Sequence, residues 1–355
     1  MIAPSSGVPG DGTDGLRAPH GVDSGLHPQP PATGHTSAPV DPDVHLPAPL
    51  PPLVVIAGAT ATGKTRLSLR LAQEIGGIEI VSADSRQVYR GMDIGTAKVT
   101  RSERALVPHH GLDLVDPDQP FSVSLYQRHA LAALGGIAAR GRVGFLVGGT
   151  GLYIRAVARG MSLTEAPHDP ELRARLEADL ATVGLAALAA RLVAQAPVVA
   201  GEIDLANPRR VVRALERVAI TGDRPPPEPV GYPAPVLWLG LAVEHAVHRT
   251  WIANRAAGQY AGGLLREAAA LAARYDPALP ALTAIGYREA IEVVHGHRTT
   301  AEALAETIVR TRAYARRQRT WFRAEPGIRW MDATRDPYPE ALVAVRRFLD
   351  TLSRV

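Results

Sequence analysis

The segment GATATGKT, Gly58 to Thr65, has the glycine spacing and the Lys-Thr ending of a Walker A phosphate cradle. It follows the apolar run Leu53 to Ala57 and precedes a stretch whose Leu67, Leu71 and Ile75 fall on one helical face. A strand, a glycine-bounded loop and a helix in that order let successive backbone N–H groups and the helix N-terminus surround an anion. Gly58, Ala59, Thr60, Ala61, Thr62, Gly63, Lys64 and Thr65 are therefore the expected phosphate-binding residues. A carboxylate is expected beside them. IEIVSADS reads as a buried strand ending on Asp84, and in an open parallel α/β sheet the C-terminal strand edge holds the ligand crevice. The later strand Val143 to Val147, in FLVGGTGLY, also ends at that edge but carries no acid there. A triphosphate-hydrolysing protein would place one at that point for its Mg²⁺ environment. Triphosphatases, small-molecule kinases and enzymes that release diphosphate only as a leaving group all build this loop, so the motif by itself leaves the reaction open.

The chain has 355 residues, 46% of them hydrophobic, enough to bury one large core and more readily two units. No apolar run approaches the roughly 18 residues of a membrane span. The N-terminus lacks the basic-then-apolar pattern of a secretory signal, so a soluble protein of the cytoplasm, without a membrane partner, is expected. With no cysteine, disulfides, Fe–S clusters and thiolate zinc sites are excluded, and any metal must be held by oxygen or imidazole. The formal charge is +4, but residues 1–50 hold five Asp and one Arg, so residues 51–355 carry +8. A basic body suits a polyanionic partner, although an arginine-rich composition can produce the same balance. Only two lysines occur, Lys64 and Lys98, against 37 arginines. A lysine retained in such a chain marks a site for a compact point charge rather than a planar fork, or arises by chance.

Residues 1–50 are dense in Pro, Gly, Ser and His and are expected to be a disordered tail. Residues 51–160 read as the first part of a P-loop core, and residues 161–235 as an inserted small helical domain that closes in the connector DRPPPEPVGYPAP. Residues 236–355 complete the core and carry a basic helix. The expected fold is α/β, a P-loop NTPase-like parallel sheet flanked by helices, with that helical insert. The basic helix starts at a capping-box pattern, Thr299 with Glu302, and runs to about Arg323. Leu304, Ile308, Ala315 and Phe322 cluster on one face, with Arg312, Arg316, Arg319 and Arg323 in a stripe beside it. The stripe is either a solvated face or a ridge for a phosphate backbone, and the scarcity of acids within it favours the ridge. The histidines suggest no metal site, since the adjacent His109 and His110 lack the spacing of a helical ligand pair.

GATATGKT, SADSRQVYRGMDIGTAK, HHGLDLVDP, FLVGGTGLY, NPRRVVRALE, AIGYRE and RRQRTWFR, in this order and at these intervals, resemble the tRNA dimethylallyltransferase (tRNA isopentenyltransferase) family over residues 53 to 332. The resemblance implies transfer of a dimethylallyl group from dimethylallyl diphosphate to N6 of adenosine 37, beside the tRNA anticodon, with Mg²⁺ as cofactor and a monomeric enzyme. The loop would then hold a leaving group. An exocyclic adenine amine is a poor nucleophile and needs an acceptor for its proton, a role that falls to Asp84. By match to the family, Thr60 would hydrogen-bond the bridging oxygen, Lys64 would stabilise the departing diphosphate, Thr65 would ligate Mg²⁺, and Arg255 would clamp the diphosphate from the far side. Asp84, Ser85, Arg86 and Gln87 match the stretch that reads the target and neighbouring base, and Thr150 and Arg173 match isolated tRNA contacts. Arg209, Arg210, Val211, Val212 and Arg213 match one further tRNA-contacting segment, and Thr283, Ala284, Ile285, Gly286, Tyr287 and Arg288 another. A single-stranded anticodon stem-loop suits such a site because its bases can be splayed and read on their edges. The chain departs from the family pattern at Trp251, where an arginine is common, and at Ala59, where a proline is usual. Three other readings compete: a prenyltransferase of free adenylate, a small-molecule kinase, and a non-catalytic RNA-binding protein.

Overall fold

The computed structural model describes residues 49–163, 169–224 and 228–352. The expected disordered tail lies almost wholly outside these residues. Apolar runs too short for helices but rich in Val, Ile and Leu form the strands, as expected where both faces of a sheet are buried. They are β1 (Leu53–Gly58), β2 (Ile78–Ala83), β3 (His109–His110), β4 (Val143–Gly148), β5 (Val236–Ala242) and β6 (Arg329–Asp332), all parallel in the order β3-β2-β4-β1-β5-β6. The parallel sheet read from the sequence is thus the one observed.

Alternation along each strand divides the core in two. Leu53, Val55 and Ala57 face one layer with Val81, Leu146 and Trp238, whereas Val54 and Ile56 face the other with Ile80, Phe145 and Leu239. The first layer is closed by α3 (Val123–Ala139), α4 (Gly151–Ala158), α9 (Leu264–Ala272), α10 (Tyr287–Val294) and the end of α11 (Thr300–Arg323). The second is closed by α1 (Lys64–Ile75) and α12 (Tyr338–Leu352), with α2 (Arg101–Leu106) at its margin. Between β4 and β5 the chain forms α5 (Pro170–Gln195), α6 (Pro197–Gly201) and α7 (Pro208–Thr221), and α8 (His245–Ala261) follows β5. Helices α5 to α7 pack on one another through Leu176, Leu188, Leu192, Val199, Val211 and Leu215, a cluster separate from both sheet layers. α5 bends at Gly184, whose φ of 82° no ordinary residue adopts without strain.

Helix α11 begins at Thr299, whose side chain accepts from Glu302 N–H while Glu302 returns the bond, and ends at Arg323. Both ends agree with the capping-box reading. Its arginine stripe needs a correction. Arg312, Arg316 and Arg323 are exposed, but Arg319 turns inward and donates to His248 Nδ1 at 3.0 Å. The second lysine of the chain is structural. The Lys98 side chain is fully buried, and its ammonium donates to Tyr89 O at 2.8 Å and to Asp93 and Asp113 at 2.6 Å each. Three acceptors converging on one point suit an ammonium and not a planar guanidinium. The knot fixes the long connection after β2, residues 84 to 100.

Candidate active site

β1 delivers the chain to the phosphate loop, and Gly63, at φ 86°, makes the left-handed turn that launches α1. The loop is held from outside by a residue the motif analysis passed over. Gln318 on α11 accepts from Thr60 N–H at 2.8 Å and donates to Gly149 O at 2.8 Å, joining the loop to the turn after β4. Asp84 stands just beyond β2. Its Oδ1 accepts from the N–H groups of Arg86 (2.8 Å) and Gln87 (3.4 Å), so it caps the turn that carries Ser85, Arg86 and Gln87. Thr150, at the end of the β4 turn, accepts from Ser85 N–H at 3.0 Å rather than capping its own helix.

Two adjoining cavities meet at Thr60, Asp84, Thr96, Arg255 and Tyr314. The first is lined by Lys64, Thr65 and Gln87 and continues the phosphate loop. The second, about 390 Å³, is lined by Ser85, Arg86, Thr283, Ala284, Ile285 and Tyr287. Segments nearly 200 residues apart in sequence, DSRQ and TAIGY, therefore face one space. Gly95 is obligatory at its wall, because a Cβ there would stand 2.3 Å from the Tyr287 ring. Tyr287 itself is buried and donates to Glu267 at 2.5 Å, which also accepts from Ile94 N–H at 2.8 Å. Tyr287 is thus a wall and anchor of the cavity.

The electrostatics are those of an anion site. Among the lining residues Asp84 is the single acid, set against Lys64, Arg255, Arg86, Arg310 and Arg317. Burial, reinforced by the charge of Arg255 and opposed by that of Asp84, brings the Lys64 ammonium down to about 7. Burial likewise lowers Arg255, and only Asp84 opposes it; the Arg255 guanidinium donates to Thr96 O at 3.2 Å. Two desolvated cations sharing one carboxylate call for a further polyanion. Burial and the Asp84 charge push the Tyr314 hydroxyl up to about 12, keeping it a neutral donor.

Several matched positions lie elsewhere. Arg173 is paired with the buried carboxylate of Glu216, which fixes α5 to α7. Val211 and Val212 are buried in the helical cluster, because α7 turns that face inward; their side chains are not available to a tRNA, whereas Arg209, Arg210 and Arg213 are exposed beside them. Gly286 is buried at the start of α10, and Arg288 is exposed and paired with Glu292. Trp251 packs as a partly buried side chain against the second core layer. His109 and His110 bond Val107 O and Glu79. Among the described residues no cluster of three or more His, Asp or Glu could hold a metal. A cation here would depend on hydroxyl oxygen and ligand oxygen, and Thr65 supplies the hydroxyl in the first cavity. Spacing along α11 missed Thr311, Tyr314, Arg317 and Gln318. They lie on the neighbouring helical face to the exposed arginines, and their spacing at i, i+3, i+6 and i+7 was the available signal.

Fold and site together define a P-loop protein whose phosphate cradle opens into a second cavity, with one strand-end carboxylate between them. Residues 87–325 match the model of the IPP transferase family and residues 51–106 that of isopentenyl transferase. A tRNA dimethylallyltransferase of Roseiflexus sp. (strain RS-1) is 46% identical over 84% of this chain and 99% of its own length. That of Anaeromyxobacter dehalogenans (strain 2CP-C) is 48% identical over 80% and 96%. The crystal structure of the tRNA isopentenylpyrophosphate transferase of Bacillus halodurans superposes with a TM-score of 0.63 at 39% identity, covering 84% of this chain and 95% of that one. A eukaryotic dimethylallyltransferase acting on tRNA shares the fold at a TM-score of 0.72 and 23% identity, over 86% and 80% of the two chains. The chain belongs to the IPP transferase family, the tRNA dimethylallyltransferases.

Proposed function

We propose that this enzyme transfers a dimethylallyl group from dimethylallyl diphosphate to N6 of adenosine 37 in a tRNA anticodon loop, acting as a monomer in the cytoplasm. One observation carries the reading: a phosphate loop with half-buried Lys64 and Arg255 adjoins a second cavity, and Asp84, the single acid among the residues lining either, stands between them. The donor diphosphate lies in the first cavity and the adenine enters the second, a division that suits a splayed base read on its edges.

Transfer forms the N6–C1 bond and breaks the C1–O bond, whose electron pair leaves with the diphosphate. Asp84 takes the proton released from the amine. Lys64 and Arg255 face the charge that develops on the leaving group, and their desolvation makes them more effective there than in water. The Thr60 hydroxyl donates to the bridging oxygen. Thr65, which lines the first cavity, would hold a Mg²⁺, and that ion would supply neutralising charge to the leaving group. Ser85, Arg86, Thr283 and Ile285 border the base, with Gln87 behind them in the first cavity, Arg209, Arg210 and Arg213 of the helical insert meet the tRNA further out, and Arg312, Arg316 and Arg323 face its backbone.

Incubation with labelled dimethylallyl diphosphate and tRNA, AMP or no acceptor tests this directly. Label is expected in tRNA alone, at adenosine 37. Comparable label in AMP would identify a free-adenylate prenyltransferase, and unchanged donor in the presence of tRNA would refute catalysis.

A further inference from the structure

Both backbone polar groups of Thr60 are held by side chains from outside the phosphate loop. Its N–H donates to Gln318 Oε1, and its carbonyl accepts from His248 Nε2, each at 2.8 Å. His248, on α8, is 1% exposed, and its other ring nitrogen accepts from Arg319 at 3.0 Å. A guanidinium only donates, so Nδ1 must be bare, the ring proton must sit on Nε2, and the imidazole must be neutral. The geometry fixes both tautomer and charge.

The surroundings oppose a second proton. His245 and Arg249 lie on the same helix, Lys64 on the phosphate loop, and Arg312, Arg316, Arg319 and Arg323 on α11. Glu244, one helical turn before it, is engaged by the N–H groups of Ala246 and Val247. Burial first, and then the charges of Arg319, Lys64 and His245, hold this histidine below the ordinary range, outweighing the bond to Thr60.

We propose that His248 is a positioning residue for Thr60: the chain Arg319–His248–Thr60 ties helix α11 to the phosphate loop, and protonating His248 breaks it and slows transfer. An imidazolium would set an N–H against the Arg319 donor, so ring and guanidinium must separate. Gln318, the neighbour of Arg319, holds the other side of Thr60, so the displacement reaches the hydroxyl at the junction of the two cavities. The turnover measurements rest on the prenyl-transfer reading; the tautomer measurement does not.

Two-bond ¹H–¹⁵N NMR of the imidazoles in the full-length protein, from pH 8 to pH 5, gives the tautomer, with His248 assigned by its loss in His248→Gln. The Nε2–H form is expected at pH 7.5, with a protonation midpoint below about 6.5. Arg319→Leu should raise that midpoint, because a repelling cation leaves. An Nδ1–H tautomer, or a midpoint that Arg319→Leu does not move, overturns the proposal. In turnover with saturating tRNA, His248→Leu should lower kcat about 3- to 30-fold while KM for the donor stays within about twofold. His248→Gln can donate to Thr60 and accept from Arg319 without titrating, so it should retain kcat within about twofold at pH 8 and lose the part of the acid-side decline due to His248. Wild-type kcat in His248→Leu, or an unaltered acid limb in His248→Gln, overturns the coupling. Absence of transfer by the wild-type protein would instead refute the reaction, leaving the tautomer and its response to Arg319→Leu to be judged by NMR.

Discussion

Asp84 caps a turn and, in the proposed reaction, accepts the amine proton, two tasks that a single substitution can separate. Both hydrogen bonds it makes within the described residues fall on Oδ1, which accepts from Arg86 N–H at 2.8 Å and Gln87 N–H at 3.4 Å. In the proposed reaction the second oxygen receives the substrate amine. Asp84→Asn keeps an Oδ1 of the same reach, so the turn carrying Ser85 to Gln87 should hold and tRNA affinity should stay within a few-fold. The amide cannot accept the amine proton, and loss of a positioned base lowers the rate about 10²- to 10⁴-fold, equivalent to about 3–5 kcal/mol in the barrier. Asp84→Ala should show the same kinetic loss together with about 1–2 kcal/mol of lower stability, since the two amide donors lose their acceptor. Single-turnover transfer from labelled dimethylallyl diphosphate, tRNA binding by fluorescence anisotropy, and thermal unfolding measure the three effects. If Asp84→Asn retained more than about a tenth of the wild-type rate, the carboxylate would be only a turn cap, and the proton would have to leave by another route.

Replacing Arg312 and Arg316 together with Gln should weaken tRNA binding and lower the slope of log K against log salt by about 0.7–0.9 for each phosphate that an arginine no longer neutralises, with donor affinity unchanged; an unaltered slope would make the ridge a solvated face. Lys98→Met should lower stability by about 1–3 kcal/mol in denaturant unfolding, because Asp93, Asp113 and the Tyr89 carbonyl lose a shared buried donor; an unchanged midpoint would refute that role. Glu79 is buried, which by itself raises its pKa, but hydrogen bonds from Arg140 and His110 outweigh this and bring the carboxyl down to about 2. A depressed folded pKa contributes stability that is complete above about pH 4.5 and is lost as pH falls toward about 2. Glu79→Gln should therefore lose stability at pH 7 and show a shallower acid dependence across that window, followed by circular dichroism in an acid titration.

Elements whose signals are local could be read along the chain. Five residues of β-branched and leucine-rich chain before GATATGKT, and a helical period after it, can form only a strand, an anion-binding turn and a helix, because backbone N–H groups and φ preferences act over a few residues. The strand end at Asp84 and the capping box at Thr299 were legible for the same reason. Pairing across the fold was not legible. Nothing in RRQRTWFR says that Arg319 turns to a histidine on α8 while Arg316 faces out, or that Gln318 spans the phosphate loop and the β4 turn. A helical period fixes which residues share a face, but not which partner that face meets. Val211 and Val212 illustrate the same limit, since a match along the chain carries no information on which side of α7 is buried. The second lysine, conspicuous by composition, acquired its role only when Tyr89, Asp93 and Asp113 converged on it. The joint cavity is likewise a product of tertiary structure, because DSRQ and TAIGY meet only after the parallel sheet has placed β2 and α10 over one edge.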